Sequence, residues 1–408
     1  MPAFGRLWPT LQGALQLLCQ RELTPGATYF TGVQTNDYCA ILGPPLDAEP
    51  AVVVVDGTGF VVKGNLVFKG NVILRGNGSH GSPPLSAGAR IVVSGSLVSE
   101  GVPLRALGDI LITAGSRLQG TGKQLASGSS LESAFIEGKN LVMKANSALS
   151  IQDSRMPAIY VKYELSVTRG GNLRVSNTSG KAIAAQEISI ARGGCVSVVN
   201  PKGKQNGGGV SARYGIYVAA GGLLEIQGTR AKVGDGYAHG GAVECGTEMR
   251  VEGSVDIRDA TSEGNGGGVF TEELIVLSSG RLHFQRTTGF LGGAVHAAHI
   301  TVNGNITIAD SYARESGGGI SGNVISLTGY AYFHETRAGR NGGAIVASSK
   351  LYVNGLAVFN STHAGANGGG IHASTSPTVI GGEVHFYSRT TRLLKIRAVP
   401  STAKVSWR

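Results

Sequence analysis

Residues 311–322 read SYARESGGGISG, in which Gly317, Gly318 and Gly319 stand side by side in front of Ile320. Glycine loses more conformational freedom on ordering than any other residue, so three in succession imply a backbone demand that no side chain would allow. The motif returns as NGGGV (206–210), HGGAV (239–243), NGGGV (265–269), LGGAV (291–295), NGGAI (341–345) and NGGGI (367–371). The closing residues are Val210, Val243, Val269, Val295, Ile320, Ile345 and Ile371, at spacings of 33, 26, 26, 25, 25 and 26. A period near 25 is the mark of a solenoid or an array.

Between copies the pattern is equally regular. A short apolar run such as IYV (216–218), LIVL (274–277) or LYV (351–353) follows each glycine motif, then a turn. A second alternating run ends on Ile226, Ile257, Phe284, Ile308, Phe333, Phe359 or Phe386. Each period thus holds three short strand candidates rich in Val, Ile, Thr and aromatic residues, without a 3.6-residue pattern. Helical repeats, leucine-rich repeats and propeller blades do not fit this spacing. The expected fold is all-β: a single-stranded parallel β-helix, one rung per period, with equivalent residues stacked about 4.8 Å apart. Counting back from Ile371 to AVVVV at 51–55 gives about a dozen rungs, or roughly 60 Å of length at that spacing. The domain reading is an N-terminal segment over 1–49, the β-helix over 50–388 and a basic tail over 389–408.

Glycine suits a corner that recurs at the same place in each rung, because it accepts positive φ without a Cβ clash. The third slot of the motif alternates between Gly and Ala, so it too must be small. The Val or Ile that follows is expected to point inward, in one column of β-branched side chains.

These GGA[IV] and GGG[IV] copies resemble the repeats of the polymorphic outer-membrane proteins of chlamydiae, whose passenger domains are right-handed β-helices of the pectin-lyase-like kind. The resemblance is strong over 206–371. Upstream, GKAI (180–183), MPAI (156–159) and ESAF (132–135) keep the spacing through Ile183, Ile159 and Phe135 but lose the glycine pair. The family's Phe-x-x-Asn motif is met only in part, since Thr287, Thr336 and Thr362 follow Phe284, Phe333 and Phe359. A column of threonine hydroxyls is expected there. The resemblance implies an adhesive or ligand-binding role outside the cell or at its surface, with an unidentified protein or glycan as partner.

The net charge of +10 is concentrated at one end. The last twenty residues hold six basic residues and no acidic one, which leaves 30 basic against 26 acidic residues in the other 388. Nucleic acid is therefore not an expected partner, and the chain is expected to be monomeric. Sixty-four glycines are about twice ordinary usage, as corners require. Of the four cysteines, none has metal-ligand spacing; Cys19 can pair with Cys39, whereas Cys195 and Cys245 fall two rungs apart. Asn77, Asn177, Asn305 and Asn360 head Asn-x-Ser/Thr triplets. The N-terminus lacks the pattern of a signal peptide, and no run is long and apolar enough to span a membrane. Residues 9–22 read as a short amphipathic helix, with Leu11, Leu15 and Leu18 on one face, placed to cap the first rung.

Catalytic and metal chemistry find little support in the residue pattern. Pectate lyases and polygalacturonases share this kind of fold but gather aspartates in one place, and the nearest echo, GSHG at 78–81, has no carboxylate partners. Eight of nine histidines lie between His239 and His385. His296 and His372 share a slot with Ser211, Glu244, Phe270, Ser321 and Val346, so they read as outward-facing polar residues rather than ligands. No catalytic residue, metal site or cofactor is expected. One rung is longer than the rest, through QGTRAKVGDGYAHGG at 227–241. Insertions in solenoids collect on one face, often the binding face. Arg230, Lys232, Asp235, Tyr237 and His239 are the candidate binding residues of that loop. The alternative to a non-catalytic adhesive surface is a polysaccharide lyase or hydrolase, which should place three or more carboxylates on one face in adjacent rungs.

Overall fold

The structure is a computed structural model that describes residues 19, 22–31, 38–55, 60–76, 84–122, 134–202, 207–232, 238–374, 378–387 and 404–407. Every regular element among them is a β-strand, and the strands coil as a parallel β-solenoid of about 13 turns. Apart from residues 19 and 22, the helix expected over 9–22 lies outside the described residues, as does the GSHG stretch. The chain divides into two compact units, residues 1–156 with 160–162, and residues 157–159 with 163–408.

In the first unit, Phe60, Leu85, Leu104 and Ile136 stack in register and are fully buried or nearly so. Ile136, not Phe135, holds the column position. Phe135 sits one residue earlier, in the corner, where its ring occupies the space a side chain on Gly120 would need. The stacking also begins before residue 50. Thr28–Thr31 pairs with Ala51–Val55, and Tyr38–Leu42 pairs with Asn65–Gly76. Cys19 and Cys39 form a disulfide in this segment.

In the second unit, Ile183, Val210, Val243, Val269, Val295, Ile320, Ile345 and Ile371 pair in unbroken succession. None is more than 2% exposed, so the closing residues form the single inward column that the repeat implies. The residue that closes the glycine motif and the apolar run after it share one strand, as in Val210–Val218 and Val295–Val302, which then yields to a five-residue strand such as Leu223–Gln227; after the last motif they stand in separate strands, Ile371–Ala373 and Thr378–Ile380. The third side is a separate six-stranded sheet of short strands: Arg230–Ala231, Thr261–Ser262, Thr288–Leu291, Tyr312–Ser316, Arg337–Ala338 and His363–Ala364.

The three glycines of the motif meet three different demands. The first adopts positive φ in every copy, 71° at Gly317 and between 60° and 68° in the other six. The second lies against the backbone of the next rung: a Cβ on Gly293 would collide with the Gly318 carbonyl, and one on Gly318 with that of Gly343. The third faces the end of the five-residue strand. It is glycine opposite Phe284, Phe333 and Phe386 (Gly268, Gly319, Gly370), where a Cβ would fall 2.7–2.9 Å from the ring. It is alanine in the rungs of Ile257 and Ile308 (Ala242, Ala294), where a smaller side chain leaves room for a methyl. Gly209 with Ile226 and Ala344 with Phe359 depart from this pairing.

The expected hydroxyl column is present: Thr287, Ser311, Thr336 and Thr362 are buried, and the Thr287 and Ser311 hydroxyls are hydrogen-bonded at 2.8 Å. At the other end, Lys404–Trp407 pairs in parallel with Glu383–Tyr387. Part of the segment read as a tail is therefore a strand, and it covers an edge that would otherwise be open.

Candidate functional site

Because rungs stack in register, outward side chains form columns as surely as inward ones do. One outward column runs Glu164, Glu187, Gly215, Glu248, Glu273, His299, Val324, Lys350. Four of its first five members are carboxylates, and the fifth, Gly215, has no side chain. The missing side chain leaves an open groove of about 590 Å³, lined by Glu164, Glu187, Tyr214, Tyr217, Glu248 and Arg250 among others. Tyr214 and Tyr217 are 45% and 37% exposed, large apolar surface for side chains that hydrogen-bonding sheet holds in place. The Arg213 guanidinium sits 5.5 Å from the centre of the Tyr214 ring. Burial raises the Tyr217 phenol, and its hydrogen bond to Glu252 adds to this. The carboxylates thus fall in adjacent-rung pairs, Glu164 with Glu187 and Glu248 with Glu273, rather than in the run of three set for an enzyme.

A second groove, of about 530 Å³, lies where the long rung departs from the repeat. It brings Arg230 and Lys232 together with Lys202, Asn177, Asn200, Pro201 and Gly228. Arg230 and Ala231 form the short strand that pairs with Thr261–Ser262, which buries Ala231 and leaves Arg230 exposed. Asp235 and Tyr237 lie outside the described residues.

His239 is not part of this groove. It occupies the slot before Gly240 in the glycine corner, where its Nδ1 accepts the Asn265 backbone N–H at 3.1 Å. Its ring stacks on Phe270 at 4.4 Å, and Phe270 stacks on His296 at 5.7 Å. Burial pushes both imidazoles toward the neutral form, His296 down to about 4. His296 is therefore packed into a ring stack rather than a solvated polar residue, because Phe270 occupies the equivalent outward position in the neighbouring rung. Among the described residues no group of three or more His, Cys, Asp or Glu is arranged to hold a metal, and no helix is long and apolar enough to cross a membrane. Cys195 and Cys245 are unbonded, and burial raises the Cys245 thiol to about 11, which makes it a poor nucleophile.

The chain matches no family model, no curated protein and no solved structure. The groove residues Tyr214, Tyr217, Glu187, Glu248, Lys202 and Asn200 escaped the sequence reading. Their signal is positional, and it emerges only when the outward residues of successive rungs are set in register.

Proposed function

We propose that this chain is a non-catalytic β-solenoid, secreted or displayed at a cell surface, that binds glycan on the outer face of its second unit. The observation that carries this is the groove around Gly215. Exposed tyrosine rings offer flat apolar faces to sugar rings, and the carboxylates and Arg250 beside them supply hydrogen-bonding partners for hydroxyls. The resemblance of the glycine repeats to those of polymorphic outer-membrane protein passengers supports a surface role. The Cys19–Cys39 disulfide supports an oxidising compartment.

A second reading is favoured by the paired carboxylates. Glycosidases use two carboxyl groups across a scissile bond, and Glu164 with Glu187 or Glu248 with Glu273 would provide them. The glycine between the pairs and the tyrosines beside it favour binding over hydrolysis. A glycan array, combined with a reducing-end assay on every glycan that binds, tests both. Binding without cleavage is expected. Cleavage products would transfer the groove to the enzyme reading, and an array with no binder would overturn the glycan assignment.

A further inference from the structure

The cleft at the long rung has a different chemistry from the tyrosine groove, and nothing in the proposed glycan reading requires it. Lys202 and Arg230 each stand four residues beyond register partners, Val198 and Ile226, so they occupy equivalent places in consecutive rungs. Both line the same cleft. Lys232 adds a third cation from the same side. Three exposed arginines elsewhere in this unit are each held by a carboxylate: Arg258 by Asp256 at 2.6 Å, Arg286 by Asp259 at 2.5 Å and Arg340 by Glu315 at 2.7 Å. Lys202, Arg230 and Lys232 form no ion pair among the described residues, and all three are exposed. Stacked like charges of this kind favour a polyanion that threads between them.

We infer that this cleft is a binding site for an acidic polysaccharide, a chain that carries sulfate or carboxylate groups on hydroxyl-rich rings. The cations meet the charges, and the side-chain amides of Asn177 and Asn200 match neutral hydroxyls. No aromatic residue lines the cleft among the described residues, so it has no platform on which nucleic-acid bases would stack. Nor, among the described residues, does it expose an apolar side chain that would enter a membrane.

The test uses the full chain and fluorescent dextran sulfate, with neutral dextran and a single-stranded oligonucleotide as comparators, by anisotropy over a range of salt. The Lys202→Ala/Arg230→Ala/Lys232→Ala variant should bind dextran sulfate roughly tenfold or more weakly, with a shallower salt dependence and an unchanged thermal midpoint. A variant with the six basic residues of 389–408 changed to glutamine, and Tyr217→Ala, should both keep wild-type affinity for dextran sulfate. Retained affinity in the triple variant would overturn the site. So would loss of binding only in the 389–408 variant, or oligonucleotide binding as tight as that of dextran sulfate.

Discussion

The ring of Phe284 stands where the side chain of Gly268 would begin: a Cβ on Gly268 would lie 2.8 Å from Cδ1 of that ring. Two residues sixteen apart in sequence thus share one volume at the corner of a rung. Gly268→Ala should destabilise the protein by about 1–3 kcal/mol through overpacking. Gly268→Ala/Phe284→Ile should recover most of that loss, because alanine with isoleucine is the combination found at Ala294 and Ile308. Denaturant unfolding of both single variants and the double measures the coupling, and additive losses would contradict the shared volume.

The second glycine permits no such rescue. The neighbour of Gly293 is the Gly318 carbonyl, part of the backbone ladder, which no side-chain change can move aside. Gly293→Ala should therefore cost more than Gly268→Ala, alone or in combination with Ile308→Val. A smaller loss in the same unfolding experiment would mean that rungs can separate locally.

Val295 is fully buried between Val269 and Ile320 in the inward column. Val295→Asp would place an unpaired carboxylate there, at a cost of several kcal/mol. An unaltered thermal midpoint at neutral pH would contradict the register of the column.

What could be read from the chain alone was what repeats at fixed spacing. The glycine triplets and their closing Val or Ile gave the period, the inward column and the parallel stacking, and the threonines after Phe284, Phe333 and Phe359 gave the hydroxyl column. The outward faces were harder to read for a physical reason. Glu187, Glu248 and Glu273 occupy one column, but they lie four, five and four residues beyond Ile183, Val243 and Val269. Register shifts between Ala185 and Glu187 and between Cys245 and Glu248 absorb the difference. A comparison at constant offset misses such a column. His239 misled in the opposite way, because sequence proximity placed it in the long loop while the glycine corner claims it.

The ring stack of His239, Phe270 and His296 should make stability depend on pH. His296 has a folded pKa of about 4, below the ordinary 6.5, so between these values the unfolded chain holds the proton more readily. Stability should fall as pH drops from about 6.5 to about 4 and level off below, by at most about 3 kcal/mol from this residue. His239 contributes in the same direction through its own burial, opposed by the charge of Glu244. The His296 Nδ1 is buried with no hydrogen-bond partner among the described residues, so His296→Phe sacrifices no bond there and keeps a ring on Phe270. That variant should lose most of the difference in unfolding free energy between pH 7 and pH 4.5. An unchanged difference would move its origin to other groups.

The groove around Gly215 separates binding from chemistry by which substitution matters. Tyr217 offers an exposed ring, and its phenol is tied to Glu252. Tyr217→Ala should weaken an array-identified glycan by about tenfold, in line with the roughly 1–3 kcal/mol that stacking against an aromatic side chain contributes in other ligands. Glu187→Gln and Glu248→Gln keep shape and hydrogen-bonding capacity while removing charge, so a binding surface should tolerate them within a fewfold change in affinity. In a hydrolase the same substitutions would abolish turnover and spare affinity. Filling the gap is the sharpest form of the test. Gly215 carries no positive φ, and the nearest atom to a Cβ there, the Glu248 carbonyl, lies at an ordinary contact distance of 3.6 Å. Gly215→Gln should therefore fold normally and occlude the groove. Isothermal titration of the variant against the same glycan should show affinity reduced at least as far as in Tyr217→Ala, with the thermal midpoint preserved. Wild-type affinity in Gly215→Gln would place the glycan elsewhere on the solenoid.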